Sequence, residues 1–236
     1  MNRTKEVFLS VVMSVSGTLC AQTRNEPPLQ KGVSVQMAVT EHATQMPDAD
    51  SSDACVITVT ASGDFYVRAD PVSPRDNLYY DTKSCLYEAR KKNPTSEPRL
   101  YIKADARALA AYLDYVLAAA SGLDHESAIL LTAQPVQKTE GTRVAPTGLE
   151  IRATSSWRRD SMFLLLDSDQ SSPKIRFNDQ GISLDDLQNQ IKLLQARRDP
   201  LVISMESKLP FAKLATVLDL CSSLGATVSV ALPRVQ

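Results

Sequence analysis

The sequence predicts an α+β protein in which a ββαβαβ-type unit, a small mixed sheet with two helices on one face, is written twice in tandem. Three observations carry this reading. Ser-x-x-acid starts open two helical patterns, "SPRD" at Ser73–Asp76 and "SLDD" at Ser183–Asp186. Both patterns end in basic residues and a proline, "ARKKNP" to Pro94 and "ARRDP" to Pro200. A strand-like run, a second apolar helix closing near a glycine and a last alternating strand then follow in each copy.

The elements follow in order. "CVITVTAS" and "DFYVRAD", with a Gly63-Asp64 turn between them, read as a hairpin in the first copy. "MFLLLDSD" and "KIRFND" are their counterparts. At each helix start the serine hydroxyl can accept from the third backbone N–H, and the acid suits the positive end of the helix dipole. Leu78, Thr82, Cys85, Leu86 and Ala89 then form one apolar stripe, and Leu184, Leu187, Ile191 and Leu194 another. Terminal cations suit the negative helix end and proline blocks continuation.

"RLYIKAD" and "LVISME" are the next strands. The second helices are expected over Ala106–Gly122 and Pro210–Gly225, each with a glycine at its C-terminal end. "SAILLTAQ" and "TVSVAL" close the two copies. Upstream, "GVSVQMA" at Gly32 mirrors "GLEIRAT" at Gly148, giving each copy an arm strand. The units are therefore placed at 32–136 and 148–236. The polar, Gly- and Pro-containing stretch at 137–147 is the linker.

Composition restricts the function. The chain has 236 residues, a formal net charge of −1 and two histidines. Nothing draws it toward nucleic acid. Residues 1–21 begin with Arg3 and Lys5 and turn apolar or small from Val7 to Ala21. That order is a secretory signal peptide's, and the run is short of the roughly 20 apolar residues a membrane span needs. The alternative is a retained short anchor. Leu19 precedes Cys20 where a lipoprotein would carry a small residue.

Export implies an oxidising compartment. Cys55 and Cys85 are then a candidate disulfide; the alternative is two buried thiols, because free cysteine packs as a small hydrophobe. Cys221 lies on an apolar stripe with Leu214, Val217 and Leu218. No cysteine pair has metal-ligand spacing, and neither a phosphate loop nor a nucleophile elbow is present. No cofactor or metal is expected.

The stretch "DPVS" with its following helix, then "YIKAD" and a helix ending in glycine, resembles the periplasmic domain of the ExbD/TolR family. In the second copy Glu206 stands at that family's aspartate position. Leu209, Phe211, Leu214, Val217, Leu218, Asp219 and Gly225 fall at the matching offsets. In the first copy Asp105 and Leu113 match, Ala110 replaces the aromatic residue, and Gly122 closes early. The family begins with a transmembrane helix bearing an aspartate for proton-driven work; Val7–Ala21 contains no acidic residue.

The resemblance implies a non-catalytic cell-envelope binding protein in the periplasm. Its implied partners are a TonB-like peptide, peptidoglycan or a membrane-bound ExbD/TolR-like protein. It also implies that the two units pack as a pseudo-dimer. The alternative is an inner-membrane-anchored accessory subunit of a TonB/Tol-type transport complex.

Extended peptides add to open sheet edges, so the arms at Val33, Val35 and Met37 and at Leu149 and Ile151 are the candidate partner-binding positions, or else permanent edge strands. An enzyme would need paired acids such as Asp105 with Asp114 or Asp185 with Asp186. Asp185 and Asp186 read better as helix-start charges and Asp105 as a helix cap. Tyr79, Tyr80, Tyr87 and Tyr101 read as amphipathic packing or a glycan-stacking surface. "SSWRRD", around Trp157, reads as a loop.

Overall fold

The computed structural model describes residues 33–73, 75–135, 145–157 and 162–232. The expected signal segment at 1–21 and most of the linker at 137–147 lie outside the described residues. No helix among the described residues is long and apolar enough to cross a membrane.

Strands β1 (Thr44–Gln45), β2 (Cys55–Val59), β3 (Phe65–Val67) and β4 (Asp70–Pro71) precede helix α1 (Leu78–Lys92). Strand β5 (Leu100–Ala104), helix α2 (Ala110–Ser121) and strand β6 (Ser127–Thr132) follow. Next come β7 (Thr147–Thr154), β8 (Met162–Leu166), β9 (Lys174–Phe177) and β10 (Gln180–Ile182). Helix α3 (Leu184–Arg197), β11 (Leu201–Met205), α4 (Phe211–Ser223) and β12 (Val228–Ala231) complete the described elements.

Two separate small sheets were expected. The structure instead has one mixed twelve-stranded sheet, ordered β10-β9-β8-β11-β12-β7-β6-β5-β2-β3-β4, with β1 beside β7. The reason is β7. It pairs antiparallel with β6 on one side and parallel with β12 on the other. The order reads alike from both ends: hairpin strands outermost, three parallel strands inside them, β7 in the middle.

The apolar stripes of all four helices meet one face of this sheet in a single core. It runs from Ile57 and Ile102 through Leu149 and Ile151 to Phe163 and Ile203. The opposite face of β2, β5 and β6 carries Val56, Tyr101, Ile129 and Leu131. Residues 46–54 cover it, packing Met46, Ala49 and Ala54 onto these side chains. Two equivalent loops meet over the middle of the molecule. Ala110 N donates to Leu209 O and Phe211 N to Ala108 O, at 2.7 and 2.8 Å. Ala111 N to Ser207 O and Ala212 N to Ala106 O repeat the exchange.

The two Ser-x-x-acid starts diverge. Ser183 accepts from Asp186 N at 3.1 Å, and Asp186 returns the bond, a complete capping box. Ser73 does not cap α1. A 3-10 turn, Arg75–Asn77, intervenes, and the Asn77 side chain donates to Ser73 O. The Asn77 side chain takes the Ser73 carbonyl from four residues on, and the α-helix begins only at Leu78. Asp105 is not the cap of α2 either; Leu109 holds that position without a side-chain bond. The Asp105 carboxylate instead accepts from Arg107 and from Gln36 N.

Cys55 and Cys85 form a disulfide, with Cα atoms 5.6 Å apart, tying the start of β2 to the middle of α1. The loop closed spans 30 residues. Cross-links of this length stabilise by about 2–4 kcal/mol. The Cys55→Ser, Cys85→Ser double variant is therefore expected to melt roughly 4–16 °C lower, and a strong reductant should produce the same loss in the unaltered protein by calorimetry. Because β7 belongs to one continuous core, Ile151→Ala should cost about 2–5 kcal/mol. Calorimetry should still show one endotherm, where two independent sheets would give two.

Candidate functional site

An open groove of about 880 Å3 lies at the end of the sheet where β2, β5 and β6 begin. One wall is the crossing segment, which turns at Pro47 into a short 3-10 helix, Pro47–Asp50, with Ala49 buried. The other wall is the end of α1 and the polar stretch Asn93–Pro98. Ser127, Ile129 and Glu150 line its floor.

At its centre Tyr101, 2% exposed, donates its hydroxyl to Asp48 Oδ2 at 2.5 Å. Burial and that bond push the phenol well above its usual range, so it stays a protonated donor. Arg99 Nη1 lies 3.5 Å from the same carboxylate oxygen. Lys92 Nζ reaches Asp53 Oδ1 at 2.6 Å and holds that carboxyl below its usual value. The pair is half exposed, so it contributes less than about 1 kcal/mol to stability and serves mainly to hold the two walls together. His125 lies at the rim. Burial lowers its pKa, Glu97 opposes that shift and Arg90 adds to it, so the ring favours its neutral form.

The same place in the other half, between the end of α3, the start of β11 and the turn before β12, holds a hollow of about 270 Å3. Its lining includes Ile191, Leu194, Arg198 and Pro200 and contains no tyrosine. Residues 44–54 and 93–98 supply the walls of the larger groove.

The structure does not bring the candidate arm residues together as free edges. Leu149 and Ile151 are 3% and 0% exposed in the middle of the sheet, and both sides of β7 are hydrogen-bonded. Val33, Val35 and Met37 form no strand. The Val33 carbonyl accepts from Lys103 Nζ, and Met37 packs on the cluster behind β5 and β6. One strand can fill the middle of this order, and β7 fills it. The earlier arm instead runs beside the end of β6, where Ala133 N donates to Ala38 O and Thr40 N to Ala133 O, and β1 follows it opposite Thr147 and Gly148.

Of the cysteines, bonded Cys55 borders the groove. Cys221 is buried in α4, and burial pushes its thiol up to about 12. His42 is held away from the groove by Asp219, whose carboxylate also accepts from Glu41 N and His42 N. No group of three or more His, Cys, Asp or Glu among the described residues is arranged to hold a metal. Sequence reasoning missed Asp48, Arg99 and Glu97. The one available signal was the polar, proline-bounded stretch at 93–98.

The groove offers donors and acceptors of both charge signs, with the central phenol and carboxylate already paired. That arrangement suits holding a polar ligand. No family model, curated protein or solved structure matches this chain.

Asp105 and Asp114 titrate in opposite senses. Arg107 holds Asp105 at about 2, while burial raises Asp114 to about 6. A depressed carboxylate stabilises above its unfolded value and loses that contribution as pH falls through its folded value; a raised one does the reverse. Asp105→Asn should therefore destabilise at pH 7, with the difference from wild type closing between about pH 4 and pH 2. Asp114→Asn should stabilise above pH 6, with no gain below about pH 4. Urea unfolding at a series of pH values checks both.

Proposed function

We propose that this protein is an exported, non-catalytic binding protein of the cell envelope, built from two ExbD/TolR-like units in tandem that pack as a pseudo-dimer within one chain. The strand order that reads alike from both ends supports the duplication. So do the reciprocal hydrogen bonds between residues 106–111 and 207–212. The Cys55–Cys85 bond supports a periplasmic location, because such bonds persist in oxidising compartments.

The observation that carries the ligand assignment is the groove around Tyr101. It is open, and its walls present ammonium, guanidinium, carboxylate and imidazole groups. Peptidoglycan carries hydroxyls, amides, carboxylates and amines along one extended chain, and each group has a counterpart here. The burial of Leu149 and Ile151 argues against peptide addition at those arms. A second reading keeps a TonB-like peptide, or a membrane-bound ExbD/TolR-like partner, at the outer edge of β10. That edge ends the sheet, and Gln180 and Gly181 are exposed there. In the anchored version, residues 7–21 are retained and the protein is an accessory subunit of a TonB/Tol-type complex.

Co-sedimentation with isolated peptidoglycan tests the proposal. Wild type should pellet with it. Lys92→Ala combined with Arg99→Ala should weaken retention about tenfold or more, since lost charged hydrogen bonds cost about 1.5–3 kcal/mol. Lys174→Ala with Arg176→Ala, far from the groove, should change nothing. Unchanged retention of the groove variant, or binding only to a TonB-like peptide, overturns the assignment.

A further inference from the structure

At the opposite end of β2 from the groove, three aromatic rings surround one cation. The Arg75 guanidinium carbon lies 5.1 Å from the Phe65 ring centre, 5.4 Å from Tyr112 and 5.1 Å from Tyr115. The rings stand nearly upright to one another. Phe65 meets Tyr112 at 88° and Tyr115 at 69°, so they form walls rather than a stack. Arg75 Nη2 also donates to Gly63 O at 3.1 Å. Gly63 has φ +85°, and a Cβ there would lie 2.2 Å from Tyr112 Cζ, so only glycine lets that ring close the cage.

The fold does not require this arrangement. The reciprocal loop bonds set Ala110 opposite Phe211, which makes Lys213 and Thr216 the counterparts of Tyr112 and Tyr115. In that half Lys213 pairs with Asp167 Oδ1 at 2.6 Å, and no such cage forms among the described residues. The first half has therefore acquired an aromatic site on a scaffold that stands without one. It is also reachable: Phe65 is 3% exposed at its base, while Tyr115 is 50% exposed at its rim.

We infer that Phe65, Tyr112 and Tyr115 form a binding site for a cationic group of the guanidinium or ammonium type, held closed in the free protein by Arg75 as an internal occupant. The negative ring faces attract a cation, and the site's apparent affinity for an outside cation falls by the fraction of time Arg75 fills it. This site goes beyond the groove and does not depend on its ligand.

The test uses the full-length protein and Arg75→Ala, titrated with tetramethylammonium and, separately, with a short arginine-containing peptide. Aromatic-ring NMR is the readout. Arg75→Ala should show saturable shifts of Phe65, Tyr112 and Tyr115, at least about tenfold tighter than wild type. Tyr115→Ala added to Arg75→Ala should abolish them. Response to tetramethylammonium alone identifies a small-cation site and response to the peptide alone a protein-docking site; either supports a cation site. A folded Arg75→Ala protein with no saturable shift from either probe overturns the inference. If Arg75→Ala unfolds, Arg75→Gln, which keeps a donor for Gly63 O without the charge, is titrated instead. Absence of binding there, or unfolding of both variants, shows that Arg75 is a structural clamp and overturns it equally.

Discussion

The structure depends on β7 being hydrogen-bonded along both edges. Its pairing to β6 and β12 turns two groups of strands into one sheet and lets Leu149, Ile151 and Ala153 bury against helices from both halves. The approach is close. A side chain at Gly148 would place a Cβ 2.4 Å from Ile129 Cγ2 and 2.9 Å from Met46 Cγ, so that position has no room for one. Buried hydroxyls extend the same seam: Thr40 and Thr132 share a hydrogen bond at 2.6 Å, and Thr132 and Thr147 another at 2.8 Å. Buried polar groups are tolerated when each has a partner, and a linked set fixes one register over its neighbours.

The seam also explains the asymmetry. With the middle position taken, the chain ahead of β2 pairs briefly as β1 and then crosses the back of the sheet to reach the start of β2. That crossing brings Asp48 onto Tyr101 and Asp53 within reach of Lys92. The groove lies where that crossing meets the end of α1 and residues 93–98.

Much of this was legible because helices and parallel strands are coded locally. Ser183 with Asp186 marks a helix start by short-range hydrogen bonding, and the periodic Leu187, Ile191 and Leu194 mark its buried face. Ser73 misled because a 3-10 turn, Arg75–Asn77, follows it and delays the helix to Leu78. β4 and β10 are too short to stand out: Arg68, Asn178 and Asp179 adopt positive φ at their hairpin turns without glycine. The central place of β7 was illegible for another reason. Glu150 and Arg152 alternate with Leu149 and Ile151, which reads as a strand with one wet face, and nothing local names its neighbours. The groove was illegible because Asp48 and Tyr101 lie 53 residues apart and meet only after the arm is displaced.

An axis of approximate two-fold symmetry has space for a single strand running along it, so the element seated there has no twin. Whichever copy supplies it leaves the other copy a spare length of chain to dispose of. Likeness between the halves is thereby broken once, at the centre, and each rim of the molecule becomes free to change alone. A chain arranged this way need not carry a matched pair of clefts: its two corresponding hollows measure about 880 and 270 Å3.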